Sequence, residues 1–157
     1  MLALAVVVGL ALAAPARART YFVSGQQLPV GDTLTMRGGL IGTWTTTSVT
    51  AISAPIPALP LAYQLIGTER FEGCLNRHRD WSCRHDPKGS LTFYMDTWLQ
   101  DSVPDPDVFS GVWGACVHPI TSGTGAFAGA QGVITMLDTY APGGVYIDTR
   151  YDGNLIL

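Results

Sequence analysis

Residues 123 to 132 read Gly-Thr-Gly-Ala-Phe-Ala-Gly-Ala-Gln-Gly and run directly into Val-Ile-Thr-Met-Leu-Asp-Thr at 133 to 139. Four glycines in ten residues, set around one aromatic side chain, constrain the fold more than any other stretch. Glycine adopts positive φ and lets backbones approach closely, so Gly123, Gly125, Gly129 and Gly132 predict a tight corner feeding a strand. Phe127 is the apolar anchor of that corner and is predicted to plug a core.

The rest of the chain agrees with a sheet protein. Apolar residues make up 47% and charged residues 13%, with 18 Gly and 10 Pro. That balance suits short strands joined by turns better than amphipathic helices, which need a charged face. A length of 157 residues allows one domain. The net charge is −3, and Lys88 is the only lysine among nine basic residues, so the basic excess that phosphate-backbone binding requires is missing and no nucleic-acid partner is expected. Met1 to Ala14 is an almost unbroken apolar run followed by Pro15-Ala16-Arg17-Ala18, the pattern of a secretory signal with cleavage after Ala18. No basic residue precedes the run. It is shorter than the roughly 20 residues that cross a bilayer, so no stable membrane anchor is expected. The predicted organisation is a signal peptide over 1–18, a polar lead-in over 19–32 and one β-domain over 33–157.

Within that domain, Thr33 to Thr50 is rich in Thr, Ile and Val with three interior glycines, and predicts a long strand or a hairpin bent by bulges. Pro55, Pro57 and Pro60 break the chain. Leu61 to Phe71 alternates, with Tyr63, Leu65, Glu69 and Phe71 on one side. Ser90 to Gln100 places Leu91, Phe93, Met95 and Thr97 on one face and Tyr94, Asp96 and Trp98 on the other; both faces carry bulk, so both are expected to be covered. An acidic loop over 101–107 precedes a strand over Val108 to His118, extended into Pro119. Strands over Val133 to Thr139 and Val145 to Leu157 close the chain. In the last one Val145, Ile147, Thr149 and Tyr151 form the predicted core face, and Tyr146 and Asp148 the wet face. Antiparallel strands this long must deal with their edges, and closure removes them, so a single all-β antiparallel barrel of six to eight strands is expected, with a β-sandwich as the alternative.

The segment from Gly123 to Gly132 resembles the Gly-Thr-Gly-x-Phe-x-x-Ala-x-Gly stretch of the allene oxide cyclase and dirigent barrels. The strand succession from Leu61 to Leu157 is similar to that family, and the chain most resembles its small secreted bacterial members. The resemblance implies a calycin-like barrel, cofactor-independent cyclisation or stereoselective coupling of a small hydrophobic ligand, and a homo-oligomer, by analogy a trimer. The insert between Cys74 and Cys83 departs from the plant proteins.

That insert, Cys-Leu-Asn-Arg-His-Arg-Asp-Trp-Ser-Cys, is followed by Arg84, His85 and Lys88. Cys74, His78, Cys83 and His85 are zinc-type ligands, but their spacing fits no common finger. In a secreted chain the two cysteines read instead as a disulfide closing a short loop, and no metal is assigned. The degenerate Asn76-x-His78-x-Asp80 spacing has Trp81 where a calcium loop needs its glycine. The arginines match carboxylate and phosphate geometry, yet Asp80 and Asp86 partly offset them and a solvated loop is the simpler reading. Cys116 reads as a buried inert thiol; it and His118 stand two residues apart on a strand, roughly 7 Å, too far to act directly as nucleophile and base.

Carboxylates inside apolar strands are the better candidates for chemistry, because burial raises a carboxyl pKa and suits it to general acid work. Glu69, Asp96 and Asp138 are the candidate catalytic residues. Tyr63, Tyr94, Trp98, Trp113 and His118 are the candidate ligand-lining residues. No hydrolase, metalloprotease, phosphate-loop, dinucleotide or Cys-x-x-Cys signature occurs, and no cofactor is implied. Two functions remain open. One is a secreted barrel whose lumen binds a small hydrophobic molecule and steers its reaction by orientation. The other is a non-enzymatic extracellular module that contacts a partner through the Cys74 to Cys83 loop.

Overall fold

The structure, a computed structural model, describes residues 18–31, 33–51, 62–100, 113–141 and 145–157. The apolar leader, the proline segment after Ala51, the acidic loop over 101–107 and the expected strand start at 108–112 lie outside the described residues. Eight strands follow in chain order: β1 (Thr20–Val30), β2 (Thr33–Gly38), β3 (Leu40–Ala51), β4 (Ala62–Leu75), β5 (Lys88–Gln100), β6 (Trp113–Gly125), β7 (Gln131–Ala141) and β8 (Val145–Ile156). Each pairs antiparallel with the next, and β1 pairs with β8 from Thr20↔Ile156 to Gln27↔Thr149, so the sheet is a closed barrel. Closure leaves no strand edge to protect, which is the physical advantage expected of strands this long.

Alternation sets what faces inward. Val23, Met36, Leu40, Trp44, Phe71, Leu91, Phe93, Ile134, Tyr151 and Leu155 are buried in one core. The segment expected to be a polar lead-in is β1, because Val23 and Gln27 alternate inward and the strand fills the gap between β2 and β8. The Thr33 to Thr50 stretch is the hairpin β2–β3, turning at Gly38 (φ +126°). Leu40 N–H donates to the Tyr151 hydroxyl at 2.9 Å, which ties this corner to β8. β6 runs on through Pro119. It pairs with β5 at Val117 and Ile120 but not at Pro119, so the missing N–H falls at a gap in the ladder.

The expectation that both faces of β5 are covered does not hold. Leu91, Phe93, Met95 and Thr97 are buried in the barrel, while Tyr94 and Trp98 stand on the outer wall, Trp98 being 44% exposed.

The two ends of the barrel differ. At one end lie the β2–β3 corner, the loop from Asn76 to Pro87 and the β6–β7 turn over Ala126 to Gly129. Phe127, fully buried, sits edge-to-face on Phe71 at 5.9 Å and plugs this end. Gly129 in the turn has φ +76°, and a Cβ at Gly132 would run into the Asn154 carbonyl. The glycines are therefore permits for the corner, as their spacing predicts. Cys74 and Cys83 are joined in a disulfide with Cα atoms 5.7 Å apart. Both sulfurs are spent on that bond, so the zinc-type reading of the loop loses its thiolates.

Candidate functional site in the barrel lumen

Above the aromatic core, on the side away from Phe127, the described residues enclose a cavity of about 350 Å³. Its floor is aromatic: Trp44 stacks on Phe93 with ring centroids 4.5 Å apart, and His118 stands edge-on to Trp44 at 5.4 Å. Leu34, Val49, Leu65, Met95 and Met136 supply apolar walls. Two polar clusters interrupt them.

The first cluster is built by β3, β4 and β6. The inward phase of β4 that buries Phe71 also carries Glu69 into the lumen, 6% exposed. Thr46, directly across the ladder, donates to Glu69 Oε1 at 2.8 Å. A bulge between Thr46 and Ser48 breaks the β3 register beside this pair. Nε2 of His118 lies 2.8 Å from Glu69 Oε2. That is ion-pair distance, while His118 Nδ1 has no hydrogen-bond partner among the described residues. Nε2 of Gln27, from β1, is also buried without a hydrogen-bond partner among the described residues.

The second cluster centres on Asp138 of β7. Thr149 donates to Asp138 Oδ1 in a short hydrogen bond, and Thr149 Oγ1 is itself 2.8 Å from the Tyr146 hydroxyl. The Cys116 thiol donates to Asp138 Oδ2 at 3.5 Å and accepts from Thr97 at 3.1 Å. Burial pushes the Asp138 carboxyl above its ordinary range, against the hydrogen bonds from Thr149 and Cys116 that favour the charged form. Burial and the nearby Asp138 charge also raise the Cys116 thiol, which stays protonated. The Tyr146 hydroxyl is pushed up to about 12, chiefly by burial. The result is a connected row of proton-bearing groups, Tyr146, Thr149 and Asp138, on one side of the cavity, facing an imidazole and a carboxylate at its floor.

Of the residues singled out from sequence, Glu69, Asp138 and His118 converge on this cavity. Asp96, offered as catalytic, does not: it lies on the outer face of β5, where its Oδ1 accepts from Gln64 Nε2 at 2.6 Å. Tyr94 and Trp98 are on the same outer face and line no part of the lumen. The side chains of Tyr63 and Trp113 lie outside the described residues. Cys116 and His118 are both inward, but each is committed to a different carboxylate, so they do not form a nucleophile and base pair.

Sequence reasoning missed Thr46, Gln27, Thr97, Thr149 and Tyr146. Tyr146 is the instructive one, because strict alternation from Tyr151 and Thr149 assigns it to the wet face and Ile147 to the core. A register shift between Thr139 and Tyr140 inserts an extra residue in β8, so Tyr146 turns inward and Ile147 is 46% exposed. Bulges re-aim side chains in this way. No spacing in the sequence signals the shift. No protein-family model, characterised protein or solved structure matches the chain.

Proposed function

We propose that this protein is a secreted barrel that binds a small, largely apolar molecule bearing one hydrogen-bonding head, and steers a cofactor-independent cyclisation or isomerisation of it. The observation that carries this reading is the pair of buried polar atoms at the cavity, His118 Nδ1 and Gln27 Nε2, that have no hydrogen-bond partner among the described residues. Buried polar groups are nearly always satisfied, and a ligand head placed among them supplies the missing partners. A cavity of about 350 Å³ falls in the ~300–1,000 Å³ range of small-molecule sites, and apolar walls with a few convergent polar groups are their usual composition. Secretion fits the Cys74–Cys83 disulfide, a bond that persists in oxidising compartments.

In this reading the roles divide by environment. Asp138, whose carboxyl is kept neutral more readily than an exposed one, serves as a proton donor, with Thr149 and Tyr146 behind it. Glu69, oriented by Thr46 and paired with His118, is the acceptor. The walls hold the apolar body in one conformer, and orientation of that kind lowers a unimolecular barrier without a cofactor.

The test is titration with N-phenyl-1-naphthylamine, an uncharged apolar fluorophore, followed by its emission. One probe per chain is expected, and Met136→Trp, which fills the lumen, is expected to abolish binding. Binding that survives the filled lumen, or no binding by the parent protein, would overturn the proposal.

A further inference from the structure

A second concavity, of about 630 Å³, lies at the other end of the molecule, between the outer wall of β1, the β2–β3 corner and the loop that follows β4. Three guanidinium groups line it, from Arg19, Arg77 and Arg79. Among the described residues none of the three has a carboxylate within ion-pair distance. The acidic residues expected to offset them are engaged elsewhere: Asp86 contacts His78 Nδ1 at 3.1 Å, and Asp80 accepts from the Ser82 N–H at 3.0 Å. A chain of net charge −3 thus gathers around one cleft three arginines that have no ion-pair partner among the described residues.

The cleft also carries the two most exposed aromatic side chains of the described residues, Phe22 at 85% and Trp81 at 71%. Tyr21 lies beneath Arg77, whose guanidinium carbon is 5.4 Å from the ring centroid. Leaving two large apolar rings in water beside the cations is unfavourable in isolation and marks an interaction site when they cluster. The loop that presents them is held in place. The disulfide closes it, Asn76 Nδ2 donates to Gly38 O at 2.9 Å, and Asn76 N–H donates to Gly39 O at 2.9 Å. Arg79 and Trp81 both sit at positive φ, +54° and +58°, an unusual conformation for non-glycine residues that this bracing maintains. The backbone that carries these side chains is therefore preorganised, which lowers the ordering needed on binding.

We infer that this cleft is a binding site for an amphiphilic oxyanion, a phosphate or carboxylate head seated on Arg19, Arg77 and Arg79 with its apolar body laid against Phe22 and Trp81. Guanidinium forks match the head in geometry and charge. Aromatic rings beside them accept the adjoining apolar portion, as they do at membrane–water boundaries. The site is separate from the lumen, so it stands or falls independently of the function proposed above.

The experiment is titration of the full ¹⁵N-labelled chain with dihexanoyl phosphatidic acid below its micelle concentration, read by NMR shifts of the tryptophan indole and arginine Nε–H signals. Trp81, Arg77 and Arg79 are expected to shift while Trp44, at the lumen floor, does not. Dihexanoyl phosphatidylcholine and inorganic phosphate are each expected to bind at least tenfold more weakly. Arg77→Gln with Arg79→Gln is expected to lose tenfold or more, and added salt is expected to weaken the parent protein's binding, a readout that needs no variant. Vesicles containing phosphatidylglycerol distinguish the sources: binding of monomer points to a free amphiphile, and binding of vesicles alone points to a bilayer headgroup. Equal affinity for the choline lipid, equal affinity for bare phosphate, or shifts centred on Trp44 would each overturn the inference.

Discussion

Replacing Phe127 with alanine tests whether the glycine-rich corner closes the barrel by packing. The ring is fully buried and meets Phe71 edge-to-face at 5.9 Å. The backbone bonds of the turn, Phe127 N–H to Thr124 O at 3.0 Å and Ala130 N–H to Phe127 O at 3.0 Å, do not involve the side chain and survive the change. What is lost is packing alone. Truncating a buried phenylalanine costs about 3–5 kcal/mol, depending on how far the surroundings collapse. Here part of the wall is backbone: a Cβ built on Gly89 would meet the Phe127 ring, and one on Gly123 would meet the Phe127 carbonyl. Those strands cannot move inward without breaking the β5–β6 ladder, which keeps the cost from falling to the low end of that range and places it at about 4 kcal/mol. With a urea slope of about 2 kcal/mol per molar, the unfolding midpoint should fall by about 2 M. Phe127→Leu, which refills most of the volume, should lose less than about 1.5 kcal/mol. Equilibrium urea unfolding followed by circular dichroism measures both. A midpoint shift under about 0.7 M for the alanine variant would refute the plug, since the end of the barrel would then be closing by some other contact. Binding of an apolar probe in the lumen, at the opposite end, should be unaffected in the folded variant.

Three further outcomes follow from the site and the disulfide. The Asp138 carboxyl titrates above its unfolded value because of burial, so the folded state holds a proton that the unfolded state releases, and stability falls as pH rises from about 4 through the raised folded value. Asp138→Asn should remove that decline, and a pH–stability difference between parent and variant that is flat over this window would contradict the assignment. Thiol titration should find no reactive cysteine in the folded protein and one, Cys116, after unfolding without reductant; reducing or mutating the Cys74–Cys83 pair should cost about 2–3 kcal/mol in thermal or urea unfolding. Tyr146→Phe should weaken or slow turnover of a lumen ligand while Ile147→Ser leaves both ligand binding and stability within about 0.5 kcal/mol, and a large effect at Ile147 with none at Tyr146 would show the β8 bulge to be misplaced.

The uneven legibility of the candidate site has a physical pattern. Glu69 shares the inward phase of Leu65 and Phe71, so two-residue periodicity places it correctly once that face is known to be the core. Asp138 follows in the same way from Ile134 and Met136. Asp96 fails because β5 is bulky on both sides, and periodicity says which residues share a face but not which face is inside. Tyr146 fails because one inserted residue inverts the phase, and the bulge depends on pairing with Tyr140 on a neighbouring strand rather than on any local composition. The arginine cleft has a related cause. Arg77 and Arg79 lie within four residues of Trp81 in the chain, but Arg19 and Phe22 join them only because the loop after β4 folds across the β2–β3 corner onto β1.

Strand alternation, a low charge content and a glycine corner around Phe127 determine by themselves that this chain is an all-β protein whose strands prefer to close, since those features act over a few residues. Two cysteines in a short loop likewise anticipate their own bond. Tertiary structure alone decides which face becomes the lumen, where the bulges fall, and which distant side chains share a cavity. The reason is that ring closure couples all eight strands at once: each register is settled against two neighbours, and a polar group's partners are set by that arrangement rather than by its place in the chain.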